Sequence, residues 1–577
     1  MSERPAAPSD IGAAPTFREL FTPKLVTVLR EGYGLAHLRA DAVAGLTVAV
    51  VALPLSMAIA IASGTTPDRG LYAAIIGGFL VSALGGSRFQ IGGPAGAFIV
   101  LVAAAVQRHG IDGVLLATMM AGAILVAAGL LRLGTYVKFI PYPVTVGFTA
   151  GIAVIIFASQ IRDLFGLTLT EAEPGEFLAK IAALARALPT INPWAAAIAA
   201  LTVAAIVMLR RWRPQWPGML LAIVAASVVT AAMGLPVDTI GTRFGGIRAS
   251  IPVPRLPSFS FELASAVLPD ALSFALLGAI ESLLSAVVAD GMSGRRHRSN
   301  CELVAQGVAN IGSALFGGII VTGTIARTAT NVRAGARGPI AGMLHSLLLL
   351  GFLLLAAPLA IYIPLAALAG VLALVAWTMA ERHACAMLLR ASRGDALVLV
   401  ATFGLTVLRD LATGIVVGFV LGSILFVNRM AQAISLQAVP FDTADRAELE
   451  QAPAPDRDVL VYRVSGAFFF GAAAAIGAVL DRLAERPRTL VLDLSGVPFL
   501  DSTAAKAIEG AARRAQRAGA QLVVAGAVET VRTVLVAHGG RPPLVLFAPT
   551  IEAGIELSRK SKDTAAHVPV PSTALET

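Results

Sequence analysis

The sequence predicts an α-helical membrane protein of about 14 segments, two of them broken half-helices at matching places, followed by a cytoplasmic α/β domain. Three observations carry that prediction. First, of 577 residues only 14% are charged and 56% are apolar, and mean hydropathy is +0.78. Soluble domains carry about 25% charged residues, so this composition excludes soluble multidomain enzymes, disordered chains and nucleic-acid binders. Second, basic residues recur in every other loop. Third, two segments half a membrane domain apart are interrupted by the same glycine pattern. A net charge of +9 fits Lys and Arg gathered in cytoplasmic loops and needs no nucleic-acid partner.

The apolar runs divide the chain into a cytoplasmic N-terminal segment (1–38), a membrane domain (39–434), a linker (435–457), a soluble domain (458–560) and a disordered tail (561–577). The polar start, MSERPAAPSDIGAAPTFREL, holds no apolar core of a secretory signal. The first repeat of segments runs Ala42–Ala62, Gly70–Leu84, Pro94–Val106, Gly113–Leu131, Val144–Ile161, Trp194–Leu209 and Pro217–Met233. The second runs Leu268–Ala289, Glu302–Phe316, Thr324–Ala334, Pro339–Ala360, Pro364–Met379, Ala396–Leu408 and Ala412–Val427. Pro94–Val106 and Thr324–Ala334 are too short to span. Basic groups follow the even-numbered segments: Arg88; Arg132 with Lys138; Arg210, Arg211 and Arg213; Arg295, Arg296 and Arg298; Arg333 with Arg337; Arg382, Arg390 and Arg393. Loops after odd segments are balanced or acidic, as at Glu171, Glu173 and Glu176. The alternation places both termini in the cytoplasm. Cys301 and Cys385 have no zinc or disulfide spacing and face the same reducing side.

The broken segments read SALGGSRFQIGGPAGAFIVLV (82–102) and SALFGGIIVTGTIARTATNV (313–332). Each opens Ser-Ala-Leu, passes a Gly pair and a short extended stretch, then reaches a further Gly before a short helix. Irregular backbone inside a bilayer survives only when buried in protein or lining a cavity. Paired interruptions of this kind point to a transporter binding site. Half-helices starting near Pro94 and near Thr324–Ala326 aim free N–H groups at one point, which is an anion site. Arg327 lies in the first turn of the second and adds a full charge. Close helix packing through small residues is the bland alternative.

Glu281, in LLGAIESLLSAVVAD, is an acid inside an apolar helix and is therefore a functional candidate by default. Ser285 follows four residues later on the same face. Together they can offer oxygens to Na⁺, or Glu281 can carry a proton. A structural hydrogen bond to the neighbouring broken helix is the alternative. Asp290, Glu302 and Asn310 read as helix-end and packing groups, and His345 as a core histidine or proton shuttle. No GxxxxGK[ST] or HExxH occurs, so the reading is not an enzyme and needs no cofactor.

The stretches VALPLSMAIAIASG, GLYAAIIGGFLVSALGGS, GAIESLLSAVVADGM, RHRSNCELVAQGVANIGSALFGG and TGTIARTATNVRAGARGPIAGM resemble the sulfate permease (SulP) family, bacterial relatives of solute carrier family 26. The resemblance covers nearly the whole chain. It implies two inverted seven-segment repeats, core and gate domains, a homodimer, and elevator-type movement of sulfate, bicarbonate or C4-dicarboxylate across the inner bacterial membrane, coupled to H⁺ or Na⁺. Its motifs imply that Glu281 and Ser285 hold the coupling ion. By the same resemblance the anion lies against Pro94, Ala95, Gly96, Gly323, Thr324, Ile325, Ala326 and Arg327. Leu55 and Ile59 stand where animal members carry Gln and Phe, Ala95 replaces a Phe, and Glu281 replaces the Asp of bicarbonate carriers. These departures bring the chain nearer to proton-coupled dicarboxylate carriers, with a passive anion channel using the same pocket, or a membrane-anchored STAS regulatory scaffold, as the alternative readings.

In the soluble domain, alternating strands and amphipathic helices imply a sheet covered by helices. VLDLSGVPFLDSTA resembles the STAS signature, whose loop hydroxyl can be phosphorylated and whose surface can take a cytoplasmic partner. Thr503 holds the matching position, with Ala504 in place of Gly. Ser502 or Thr503 can equally cap the following helix.

Overall fold

The computed structural model describes residues 16–170, 173–174, 176–213, 216–250, 252–438, 459–470, 473 and 489–557. The chain divides into two compact units, 1–420 and 421–577.

The first unit is helical. It begins with α1 (Phe17–Phe21) and α2 (Lys24–Arg30), then α3 (Leu35–Ala62), α4 (Pro67–Tyr72) and α5 (Gly78–Leu84), the last two joined by a π-helical turn. Next come α6 (Ile99–Leu130), α7 (Tyr142–Phe165), α8 (Phe177–Arg186), α9 (Pro193–Trp212), α10 (Gly218–Met233) and α11 (Ile240–Phe244). The second half holds α12 (Phe261–Ser293), α13 (Ser299–Leu315), α14 (Ile325–Arg333), α15 (Ile340–Ala356), α16 (Leu365–Met379), α17 (Arg382–Ala391), α18 (Arg393–Leu408) and α19 (Leu411–Gln432).

Eight described helical runs are long and apolar enough to cross a bilayer. The other expected segments are present as shorter or interrupted helices. The third and fourth meet end to end within α6 and are separated by Gly110, whose φ of +65° breaks the helical path. That conformation suits a residue without Cβ. The expected boundaries of the eighth segment, Leu268–Ala289, fall short of α12, which continues through Pro269 in its first half. α8 and α17 were not expected. Each is amphipathic and only ten residues long, below the length that marks a span.

Two sets of helices pack within this unit. α3, α5, α6, α12, α13, α14 and α15 contact one another, with α6 against α12 and α13, and α15 against α3. α7, α9, α10, α16, α17 and α18 form the other set, with α7 between α16 and α18. Small residues permit the closest approaches. A Cβ on Gly122 would come 2.7 Å from the Gly307 carbonyl, and one on Gly307 2.5 Å from the Gly122 carbonyl, so α6 and α13 touch backbone to backbone.

The second unit holds a five-stranded sheet in the order β3-β4-β5-β6-β7: Ser435–Ala438, Val459–Ser465, Thr489–Gly496, Gln521–Ala525 and Val545–Ala548. β3 is antiparallel to β4 and the other pairs are parallel. Alternate residues of the central strand enter two cores, Leu490, Leu492 and Leu494 on one face and Val491 on the other. That alternation is the period-two geometry of a sheet covered on both sides. α20 (Ser502–Arg517) and α21 (Glu529–Ala537) pack beside Leu490 and Leu492 through Ile508, Val531 and Leu535.

Two expectations are corrected here. Residues 435–438 are not linker but strand β3, since their backbone pairs with β4 from Ser435–Ser465 to Ala438–Tyr462. The cap of α20 is neither Ser502 nor Thr503 but Asp501, whose carboxylate accepts the Ala504 N–H at 2.8 Å and the Phe470 N–H at 2.9 Å. A carboxylate at this position also suits the helix dipole better than a hydroxyl. Thr503 is exposed. The rest of the linker, most of the Ala-rich helix expected after Gly466, and the tail lie outside the described residues.

Candidate functional site

The two broken segments meet. In each, the opening serine turns back onto the extended stretch that follows: Ser82 donates to the Gln90 carbonyl (3.4 Å) and Ser313 to the Ile319 carbonyl (2.7 Å). The repeated Ser-Ala-Leu therefore reflects a repeated task. The stretches then pair as a two-residue antiparallel ribbon, β1 (Gly92–Gly93) against β2 (Thr322–Gly323), with Gly92 opposite Gly323 and Gly93 opposite Thr322. A helical turn begins at Gly96 on one side and α14 at Ile325 on the other. Both helix starts thus lie within a few residues of one crossing, with no side-chain cap at either N-terminus.

Side chains brace this crossing from four directions. Asn310 accepts from the Val321 N–H (2.7 Å) and donates to its carbonyl (2.8 Å), replacing a strand neighbour. Thr328 accepts from the Ile91 N–H (3.1 Å), and Asn331 donates to the Phe89 carbonyl (2.9 Å). Glu302, fully buried, accepts from the Ser87 N–H (3.0 Å) and from the Gln90 (2.8 Å) and Gln306 (3.0 Å) amides. Gln90 also donates to the Ser282 carbonyl (3.0 Å), one residue beyond Glu281. Every irregular group satisfied in this way escapes the cost of facing lipid alone.

Arg327 is the third residue of α14 and is 1% exposed. One terminal nitrogen donates to Ser56 Oγ and to the Pro94 carbonyl, both at 3.2 Å, while Nε and the other terminal nitrogen are buried without a hydrogen-bond partner among the described residues. Its guanidinium occupies the room that a side chain at Gly93 would need. A cation at a helix N-terminus is repelled by the helix dipole. With a second helix start close by, the crossing gathers positive potential and backbone donors, an environment suited to negative charge.

Glu281 lies on α12 and feels the charge of Arg327, and its Oε2 is buried without a hydrogen-bond partner among the described residues. Ser285, one turn on, donates to Thr328 Oγ at 3.1 Å. The Ser285–Thr328 bond thus ties α12 to α14 one helical turn from Glu281.

Of the residues expected from sequence, Pro94, Ala95, Gly96, Gly323, Thr324, Ile325, Ala326 and Arg327 all sit at the crossing or on its two helix starts. Ala326 is exposed and Ala95 buried, and Gly96 looks across to Ile156 and Met379 of the other helix set. Leu55 and Ile59 are buried in the apolar core, and it is Ser56 between them that reaches Arg327. Sequence reasoning missed Ser56, Gly93, Gln90 and Thr328. Glu302, read as a helix-end and packing group, stands in the first turn of α13 but also pins the first broken segment. A polar Gln90 inside an irregular apolar stretch was the available signal. Asn310 is a packing group as expected, and Asp290 closes its loop by accepting from His297. His345 is fully buried on α15, as expected of a core histidine.

A multi-pass helical unit with two broken segments crossed beside a buried arginine is the architecture of a membrane anion transporter, and its similarity to known carriers agrees. The chain belongs to the sulfate permease family, whose model matches residues 38–402, and a STAS domain model matches residues 451–553. It is 40% identical to "Putative sulfate transporter YvdB" of Bacillus subtilis, over 86% of this chain and 93% of that one. It is 34% identical to the bicarbonate transporter BicA of Synechocystis, over 85% of this chain and 88% of that one. The solved structure of SLC26A9 matches 98% of this chain and 99% of its own at a TM-score of 0.81 and 17% identity, which shows a shared fold.

Proposed function

We propose that the chain is a secondary active transporter of a small oxyanion of the sulfate, bicarbonate or C4-dicarboxylate class. The anion binds between the helix starts at Gly96 and Ile325 and is neutralised by Arg327. Glu281 carries the coupling proton, or with Ser285 and Thr328 holds a coupling Na⁺. The protein works as a homodimer in a bacterial inner membrane with both termini in the cytoplasm, by elevator-type alternating access. Its STAS domain offers the exposed Thr503 for phosphorylation and a surface for a cytoplasmic partner. The similarity to sulfate and bicarbonate carriers supports the substrate class.

The observation that carries this reading is the buried Arg327 with two nitrogens free inside the crossing. Each charge-assisted hydrogen bond to a bound oxyanion contributes about 1.5–3 kcal/mol. Arg327→Ala is therefore expected to lower uptake into proteoliposomes by about 10- to 100-fold. The assay is a panel of labelled anions at two external pH values, with and without Na⁺. Glu281→Gln is expected to leave uptake that no longer follows the ion gradient. Uptake unchanged in Arg327→Ala would remove the site assignment, and failure to accumulate any anion uphill would make the pathway passive.

A further inference from the structure

A second site of positive character lies away from the crossing, in a cleft of about 590 Å³ between the ends of α9 and α16. Arg210, Trp377, Glu381, Arg382 and His383 line its polar part, and Val207 and Leu374 its apolar part. Arg382 Cζ lies over the Trp377 ring, 3.9 Å from its centroid, a cation–π contact that uses the face of the guanidinium and not its N–H donors. Arg210, Arg382 and His383 form no ion pair among the described residues, although Glu381 adjoins them. The backbone at Glu381 is held at a φ of +39°, an unusual conformation for a residue with a Cβ, and it turns the chain so that α17 leads Arg382 and His383 over the cleft.

The position of the cleft selects its ligand. α9 and α16 both end here, and the exposed Trp212 and Trp377 mark headgroup level, where tryptophan collects. Arg210 follows Val207 by one turn at the end of α9, Trp377 follows Leu374 toward the end of α16, and Arg382 and His383 lie beyond it. The cationic lining therefore lies toward the helix ends and the apolar lining further back along them. A free inorganic anion would use only the cationic end. A phospholipid uses both, with its phosphate on the guanidinium donors and its acyl chain along Val207 and Leu374.

We propose that this cleft binds the phosphate headgroup of an anionic phospholipid of the cytoplasmic leaflet, holding α9 to the α16–α17 corner. The test uses the full-length protein, purified and titrated with phosphatidylglycerol, the retained lipids being counted by native mass spectrometry. Removing two arginines at about 1 kcal/mol each weakens the affinity of one retained lipid roughly 30-fold. That loss is expected in the Arg210→Gln/Arg382→Gln double variant and not in Arg390→Gln, a change of an exposed arginine on the far end of α17. Phosphatidylcholine is expected to leave the site empty, and millimolar inorganic phosphate to fail to displace phosphatidylglycerol. Equal losses in Arg390→Gln, or unchanged retention in the double variant, would overturn the proposal. Displacement by inorganic phosphate would overturn the lipid assignment and make this a site for a soluble anion.

Discussion

Adding a single methyl group at Gly93 tests whether Arg327 must lie where it does. A Cβ built on Gly93 falls 2.1 Å from Arg327 Nη1 and 3.2 Å from its Cζ, and 3.8 Å from the Ala74 side chain. Ordinary contact needs about 3.4 Å or more, so the guanidinium must shift by roughly 1 Å while the rest of the crossing stays put. The backbone at Gly93 has no positive φ that an alanine would resist. What gives way is the far end of a long side chain, held by two bonds of 3.2 Å. Loss of alignment with a bound anion at the low end of a charge-assisted bond, about 1.5 kcal/mol, raises the KM for uptake about tenfold. Folding is expected to be spared, with size-exclusion behaviour and Tm close to the parent. The informative assay is a double-mutant cycle of initial uptake rates for Gly93→Ala, Arg327→Ala and both together. Once Arg327 is gone the added methyl has nothing to displace, so the two effects should fail to add. Full additivity, or a Gly93→Ala protein with parental KM, would refute the placement of Arg327 at the anion.

Further outcomes follow from other parts of the molecule. Asn310→Ala removes both bonds to Val321 and strands two backbone groups in an apolar surrounding, each costing about 1–3 kcal/mol; detergent-solubilised protein is expected to lose monodispersity and to melt several degrees lower. Asn310→Asp, which keeps the acceptor for the Val321 N–H and lacks the donor for its carbonyl, should recover only part of that loss. Gly323→Ala contrasts with the change at Gly93, because its Cβ would meet Gln90 from Nε2 at 1.9 Å back to Cγ at 2.9 Å. The whole Gln90 side chain must leave its bonds to Glu302 and Ser282, so thermal stability should fall together with uptake. In the STAS domain, burial works against ionisation of Asp493, but hydrogen bonds from Ser495 and Arg463 outweigh it and hold the carboxyl below its usual range. A lowered folded-state pKa means that this pair stabilises the domain above the unfolded value of about 3.9 and loses that effect as pH falls further. Parent protein should therefore lose stability at the STAS sheet as pH falls below about 4, in an acid titration followed at that sheet, and Asp493→Asn should flatten this pH dependence.

Composition and loop charge were enough to read a helical membrane unit and its soluble companion, because the hydrophobic requirement for crossing a bilayer leaves little freedom in residue type. The paired interruptions were legible for a similar reason, as a glycine pair and a serine stand out against apolar helix. What escaped was set by the meeting of distant segments. Ser56 looks like any small residue of a packed helix until α14 delivers Arg327 to it. Glu302 sits where a first-turn acid is ordinary, and only the return of residues 87–90 against it reveals a pin. The cap of α20 was misassigned among three adjacent polar residues because sequence alone does not say which of them leaves helical backbone first.

The bracing of the first broken segment also constrains how the protein is made. Ser87, Phe89, Gln90 and Ile91 are satisfied by Glu302, Asn331, Ser282 and Thr328, partners 192 to 242 residues later in the chain. Until a ribosome has passed Asn331, a nascent first half that has already entered the bilayer holds these amide and carbonyl groups without their final partners. The insertion machinery or a local water pocket must shelter them during that interval. Arrested chains ending before Ser299 should accordingly expose residues 85–95 to water-soluble thiol reagents at engineered cysteines, and chains extending past Arg337 should shield them.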